Sequence, residues 1–214
     1  MGDPMGWAAR LIVYGLLWLS FGIGHTSLAS PERRARVAVL AGPAGRLTYN
    51  LIAIVHLAIV LGIGAMLFRG TARFSIAIPV HILMLAMAIA GVAILVIAGR
   101  SYDLGRFAGS TQWRMGGRLG AGETELPIEP LATGGMNAVV RHPLYLGLLL
   151  LMFGISTTPF MLATSVAATI YILIGIHFEE RKLLRLYGDD YARYRAKVPM
   201  LLPLPRAAMV SGHR

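Results

Sequence analysis

Cysteine is absent from this 214-residue chain, which excludes disulfides, thiolate metal sites and cysteine nucleophiles. Charge is scarce too. Asp, Glu, Lys and Arg make up 14% of the residues, where a water-soluble domain carries about a quarter. Acidic residues are the rarer sign, ten against twenty Lys and Arg. With 56% hydrophobic residues and a mean hydropathy of +0.65, too little polar surface remains to cover a soluble fold. The chain therefore reads as an integral membrane protein. Internal repeats and low-complexity tracts are also missing, so one domain over residues 1–214 is expected. The N-terminus lacks a basic leader and a small-residue cleavage site, so the first apolar run reads as a retained span.

What the chain does have is a set of long apolar runs. Ala8–Leu28 holds a single charge, Arg10, at its outer edge; Leu47–Phe68 and Ile76–Gly99 hold none. At about 20 residues per crossing, each is one helix. The fourth run, Leu144–His177, is too long for one helix and is interrupted by Thr157-Thr158-Pro159. It reads as a hairpin with arms near 144–156 and 159–177, the first arm short for a full crossing. The predicted fold class is all-α, with about five transmembrane helices and a C-terminal amphipathic interfacial helix. That last helix follows from Leu183, Tyr187, Tyr191 and Tyr194 at helical spacing, ended by Pro199, Pro203 and Pro205. The residues after Arg206 are expected to be disordered. A shorter amphipathic segment is expected after Ser30-Pro31, broken by Gly42-Pro43.

Lys and Arg are distributed unevenly among the connections. Residues 29–46 carry four, 100–143 five and 178–214 eight, against three elsewhere. The positive-inside rule places the seventeen in the cytoplasm and the N-terminus outside, as in a bacterial inner membrane. The net charge of +10 then needs no nucleic acid, because cationic residues facing anionic lipid headgroups account for it. The expected partners are membrane lipids and a small apolar or lipid-like acceptor, with no nucleic acid. The connection 100–140 is rich in glycine and proline (Gly105, Gly109, Gly116, Gly117, Gly120, Gly122, Pro127, Pro130, Gly134, Gly135) and leads straight into a basic cluster.

That cluster, Arg141-His142-Pro143-Leu144-Tyr145, sits at the entrance of the hairpin; Glu179-Glu180-Arg181 sits at its exit. Pro143 suits a first helical turn. Arg141 and His142 would then stand where free backbone N–H groups and the helix dipole favour an anion. A glutamate from the exit could face a cationic centre. Together they would suit a zwitterionic ligand bearing a positive charge. An interfacial Arg–His anchor, or a salt bridge and nothing more, are the plainer readings.

The stretch Gly135-Met136-Asn137-Ala138-Val139-Val140-Arg141-His142-Pro143-Leu144-Tyr145-Leu146-Gly147 resembles the Gly-x-x-x-x-Val-Arg-His-Pro-x-Tyr-x-Gly signature of the isoprenylcysteine carboxyl methyltransferase superfamily. Glu179-Glu180, Gly188, Tyr191, Tyr194 and Pro199 resemble its Glu-Glu…Gly-x-x-Tyr-x-x-Tyr…Pro ending. Within the superfamily the likeness is nearest to the methanethiol S-methyltransferase-like and NnrU-like branches. Phe21 to Ser30, with His25, and Tyr49-Asn50 resemble the start of the former. One departure is that the family often has Pro-Tyr where this chain has Met136-Asn137, which bears on the cofactor lid.

The resemblance implies a methyltransferase with S-adenosylmethionine as cofactor and no metal, built from segments 130–147 and 178–203. By position, Arg141, His142 and Tyr145, with Pro143 and Gly147 of the same motif, would meet its methionine and ribose parts. Glu179 or Glu180 would meet the amino group or lie near the sulfonium. Tyr191, Tyr194 and Pro199 to Leu202 would cover the adenine. Methyl transfer needs an in-line nucleophile about 3 Å away. A thiol acceptor must first lose its proton, for which His25, Glu180 and His142 are alternative bases. Arg46 and Arg141 could hold an anionic acceptor. The expected acceptor is a small thiol; a prenylcysteine carboxylate or a phospholipid amine are alternatives. His56 and His81, inside spans two and three, leave a haem-binding protein of the NnrU-like kind as a separate reading.

Overall fold

The computed structural model describes residues 5–28, 30–115 and 130–203. The expectations for Gly116, Gly117, Gly120, Gly122 and Pro127, and for the tail beyond residue 203, lie outside the described residues. Among the described residues all regular structure is helical. Four helices are long and apolar enough to cross a membrane.

The chain forms two compact units, one from residues within 1–76, 102–128 and 156–171, the other from residues within 77–101, 129–155 and 172–214. In the first unit, α1 is Trp7–Leu28, α2 is Pro31–Ala41 and α3 is Gly45–Leu67, within one to two residues of the expected spans. Trp7, Tyr14, Trp18, Phe21 and His25 recur along α1 at heptad-like spacing, so one face of the helix is aromatic. Tyr14, Trp18 and Phe21 are buried. Tyr14 packs edge-on to Phe68 and close over Gly64, where any added Cβ would overlap its ring. The Tyr14 hydroxyl shares a 2.7 Å hydrogen bond with Thr164. Two short helices, α5 (Leu104–Ala108) and α6 (Ser110–Met115), lie against the start of α3. Gly109 between them, at φ +92°, comes so close to Arg46 and Leu47 that a Cβ would fall 2.8 Å from the Leu47 nitrogen. Asn50 donates to the Ala108 carbonyl at 2.8 Å.

The second unit is built on α4 (Ile78–Gly99) and α7 (Pro143–Gly154). Their backbones touch through glycines. A Cβ on Gly91 would lie 2.5 Å from the Leu151 nitrogen, one on Gly154 2.5 Å from the Ala88 nitrogen, and one on Gly147 3.0 Å from the Gly91 carbonyl oxygen. Small residues allow this approach, which helices in lipid need because dispersion, not water exclusion, holds them together. With 12 residues, α7 is about 18 Å long, short of the hydrocarbon thickness of about 30 Å; the first arm is indeed short.

The last long helix departs from expectation. Instead of stopping near His177, α8 runs over Pro159–Tyr187, 29 residues, about 43 Å by helical rise. Thr158 caps its start by accepting the Met161 N–H at 3.2 Å. Phe178–Leu186 contains neither glycine nor proline, so nothing stops the helix until Gly188, which adopts φ +54°. The expected amphipathic helix is therefore divided. Leu183 and Tyr187 belong to α8, while Tyr191 and Tyr194 belong to α9 (Asp189–Lys197).

Candidate functional site

In the second unit the two clusters meet. Pro143 is the first residue of α7, and His142 caps it at φ −124°, ψ 65°. The Arg141 side chain is nearly buried and reaches the C-terminal part of α8. Its Nε donates to Glu180 Oε1 at 2.7 Å and its Nη2 lies 2.5 Å from the same oxygen. Its Nη1 donates to the main-chain carbonyls of Val198 at 2.6 Å and Arg195 at 3.2 Å. His142 Nε2 is 3.3 Å from Glu180 Oε1, and Arg195 approaches Oε2 at 3.9 Å. One carboxylate on α8 thus gathers the α7 entrance and Arg195 of α9, and Arg141 adds the chain leaving α9. Burial of this order makes the bracket costly to cut, since an unpaired partner would be stranded.

Two features differ from the helix-start picture. The N–H groups of Arg141 and His142 do not face an open anion site; they donate to the carbonyls of Pro199 at 2.9 Å and Met200 at 3.2 Å. The Arg141 guanidinium, too, is spent on protein acceptors. These contacts are made by main-chain carbonyls, which no side-chain motif announces.

Around the bracket, Tyr145 donates to Glu179 Oε2 at 3.0 Å and stacks on His142. Glu179 itself is exposed. Tyr194 donates to the Asn137 carbonyl at 2.6 Å, tying α9 to the tight turn Gly135–Ala138. Asn137, at the point of departure from the family signature, is buried and donates to the Ala132 carbonyl at 3.1 Å. Tyr191 is 1% exposed, and its buried hydroxyl finds no partner in hydrogen-bonding geometry among the described residues. Burial pushes this phenol up to about 12, with the Glu180 carboxylate adding to the shift and Arg141 opposing it. Leu202 is exposed beside buried Leu201. Gly147 faces α4, where its visible work is close packing.

His25 and Arg46 belong to the first unit. Arg46 is exposed at the start of α3, one turn before Tyr49. His25 is half-buried, and both its ring nitrogens are engaged: Nε2 with the Tyr49 hydroxyl at 2.6 Å and Nδ1 with the Tyr171 hydroxyl at 2.7 Å. His56 meets Ser20 at 3.2 Å; His81 is exposed on α4 in the second unit. Among the described residues no group of three or more His, Cys, Asp and Glu could hold a metal.

The chain is 27% identical over 215 residues to the methanethiol S-methyltransferase of Pseudomonas deceptionensis, a match covering 94% of this chain and 76% of that protein. It is 42% identical over 84 residues to methanethiol S-methyltransferase 2 of Bradyrhizobium diazoefficiens, covering 37% of this chain and 31% of that one. These matches are likenesses to methanethiol S-methyltransferases, and a further one is to an isoprenylcysteine methyltransferase. A protein-S-isoprenylcysteine O-methyltransferase of Schizosaccharomyces pombe is 36% identical over 81 residues, 35% of this chain and 33% of its own. Except for the Pseudomonas deceptionensis protein, the chain spans about a quarter to a third of the length of these relatives. No family model matches the chain, and no solved structure does.

Proposed function

We propose that the protein is a membrane methyltransferase that uses S-adenosylmethionine and methylates a small thiol. The observation that carries this is the joining of Arg141, His142 and Glu180 into one buried bracket, with Glu179 and Tyr145 at its rim, in a chain related to methanethiol S-methyltransferases.

The donor set suits a zwitterionic sulfonium compound. Glu179 is an exposed carboxylate, oriented by Tyr145, that can face an amino or sulfonium charge. The N-terminal end of α7, which opens on Pro143, can face a carboxylate. Tyr145 and Tyr194, with Leu202, supply aromatic and apolar surface for the rest of the molecule. Arg141, His142, Glu180 and Tyr191 hold the frame, and Pro143 and Gly147 set and seat α7. When bound, the cofactor supplies an activated methyl group. The protein's part is to place the acceptor in line, keep water away and remove the thiol proton. His25, Glu180, His142, Arg46 and Arg141 divide between the two units. His25 and Arg46 belong to the first unit, and Arg141, His142 and Glu180 to the second.

The lysine and arginine distribution favours a cofactor site on the cytoplasmic side of an inner membrane, with lipids and an apolar acceptor as partners. The test is methyl transfer from labelled S-adenosylmethionine by purified protein offered small thiols, prenylcysteines and phospholipids. Labelled thioether is the expected product. Transfer to prenylcysteine or lipid amine alone would replace the acceptor, and no transfer to any would end the proposal.

A further inference from the structure

The first unit carries a second cluster that the bracket does not use. His25 from α1 is held between phenols of two other helices, Tyr49 of α3 and Tyr171 of α8, at 2.6 and 2.7 Å. Phe21 stacks against the imidazole at 5.6 Å between centroids, and Tyr171 also packs against Phe21 and Trp18. The three polar side chains are half-buried, so the cluster is neither sealed nor open to bulk water. The titratable groups facing His25 are Tyr49 and Tyr171. His56 of α3 packs edge-on to the Phe21 ring, and Arg46 lies one turn from Tyr49 on α3. No carboxylate hydrogen-bonds the imidazole among the described contacts.

A neutral imidazole has one donor and one acceptor nitrogen. Whichever tautomer is present, one phenol gives its hydrogen to the ring and the other accepts from it. Two phenolic hydrogens and one ring hydrogen thus serve two contacts, so one phenolic hydrogen is not used inside the triad. If the ring takes up a proton it donates to both phenols, and both phenolic hydrogens turn outward. Proton uptake therefore raises the number of donors available to an anion. A carboxylate acceptor arrives ionised and gains nothing from this. A thiol must lose a proton to become a nucleophile, and it leaves behind an anion needing donors.

We propose that His25, Tyr49 and Tyr171 form a phenol-gated proton acceptor for a small apolar thiol. This rests on the thiol-acceptor reading of the protein and names the residues that prepare the acceptor. In the step, the S–H bond breaks as its hydrogen passes to the phenol oxygen facing the imidazole acceptor nitrogen. That phenol's own hydrogen passes to the nitrogen, and the electron pair stays on sulfur. A thiolate and an imidazolium result, with no oxidant or other co-reactant. The aromatic surroundings suit a short alkyl group, and the neutral resting triad suits a neutral thiol.

The test uses the purified full chain in lipid nanodiscs with carbon-13-labelled methanethiol as probe, its chemical shift reporting thiol or thiolate. Bound thiolate is expected near neutral pH with the parent protein and is lost in His25→Gln. Tyr49→Phe and Tyr171→Phe, the milder variants, decide the matter if His25→Gln does not fold; removing the gating phenol should abolish the signal. In parallel, transfer of label from S-adenosylmethionine at neutral pH should fall about 100-fold or more in His25→Gln. It should recover as the pH passes the thiol's own pKa, where free thiolate forms without a base. A structural role would not give that recovery. Protonated thiol in the parent, no thiol binding, or a thiolate signal retained in His25→Gln would overturn the inference. A thiolate signal with no methyl transfer would instead count against the proposed function alone.

Discussion

The two units hold polar groups inside an apolar molecule by opposite means. The second uses full charges: a guanidinium and a carboxylate, each at most 12% exposed at the side chain, saturated by further donors and acceptors. The first uses neutral groups: an imidazole, two phenols and a hydroxyl pair, Tyr14 with Thr164. A charged bracket is rigid, because losing any member strands another buried charge. A neutral cluster can change its hydrogen pattern at low cost. The charged bracket suits the fixed recognition proposed for the cofactor, and the neutral cluster suits the proposed movement of a proton.

The sharpest way to break this contrast is Arg141→Ala. It strands Glu180 and frees two carbonyls, so destabilisation of about 3–5 kcal/mol is expected, measured by thermal unfolding in nanodiscs. Loss equal to that of a neutral hydrogen bond would show the bracket to be slack. Next come matched glycine substitutions. Gly91→Val meets the α7 backbone at 2.5 Å and should cost about 3 kcal/mol. The atoms nearest a Cβ on Gly64 belong to the Tyr14 and Phe160 rings rather than to backbone, so unfolding measurements on Gly64→Val should give the smaller loss, about 1–2 kcal/mol. The reverse order would mean the aromatic unit is the less yielding.

A pH scan separates the units further. Tyr191 is raised to about 12 in the folded protein from an ordinary value of about 10. Below that ordinary value both states are protonated and its contribution is complete. As pH rises through about 12 the contribution is lost, because the unfolded phenol ionises first. Stability should therefore fall between these values, and Tyr191→Phe should flatten that fall; an unchanged slope would assign it to other groups. The smallest effect belongs to Tyr14→Phe, which removes one neutral hydrogen bond for about 1 kcal/mol. A loss as large as that of Arg141→Ala would erase the contrast.

How legible each region was follows from the same difference. The bracket was readable because Arg141-His142-Pro143 and Glu179-Glu180 are contiguous motifs, and buried charge has few explanations other than pairing or a ligand. What escaped was the use of Arg141, since its partners beyond Glu180 are the carbonyls of Arg195 and Val198. The course of α8 past His177 was missed because the hydropathy drops there while helix propensity does not. The His25 cluster was only half visible. His25 stands out by type and Tyr49 by resemblance, but Tyr171 joins them through tertiary packing. The aromatic spacing along α1, from Trp7 to His25, was the signal that would have marked this face as inward.

The most direct measurement is calorimetric binding of S-adenosylmethionine to the parent protein, to Arg141→Ala, to the exposed Glu179→Gln and to His25→Gln. The expected result is saturable binding by the parent and by His25→Gln, with binding weakened in Glu179→Gln and lost in Arg141→Ala. A parent protein that does not bind, or a folded Glu179→Gln and Arg141→Ala that bind as the parent does, would contradict a cofactor site organised by the charged bracket.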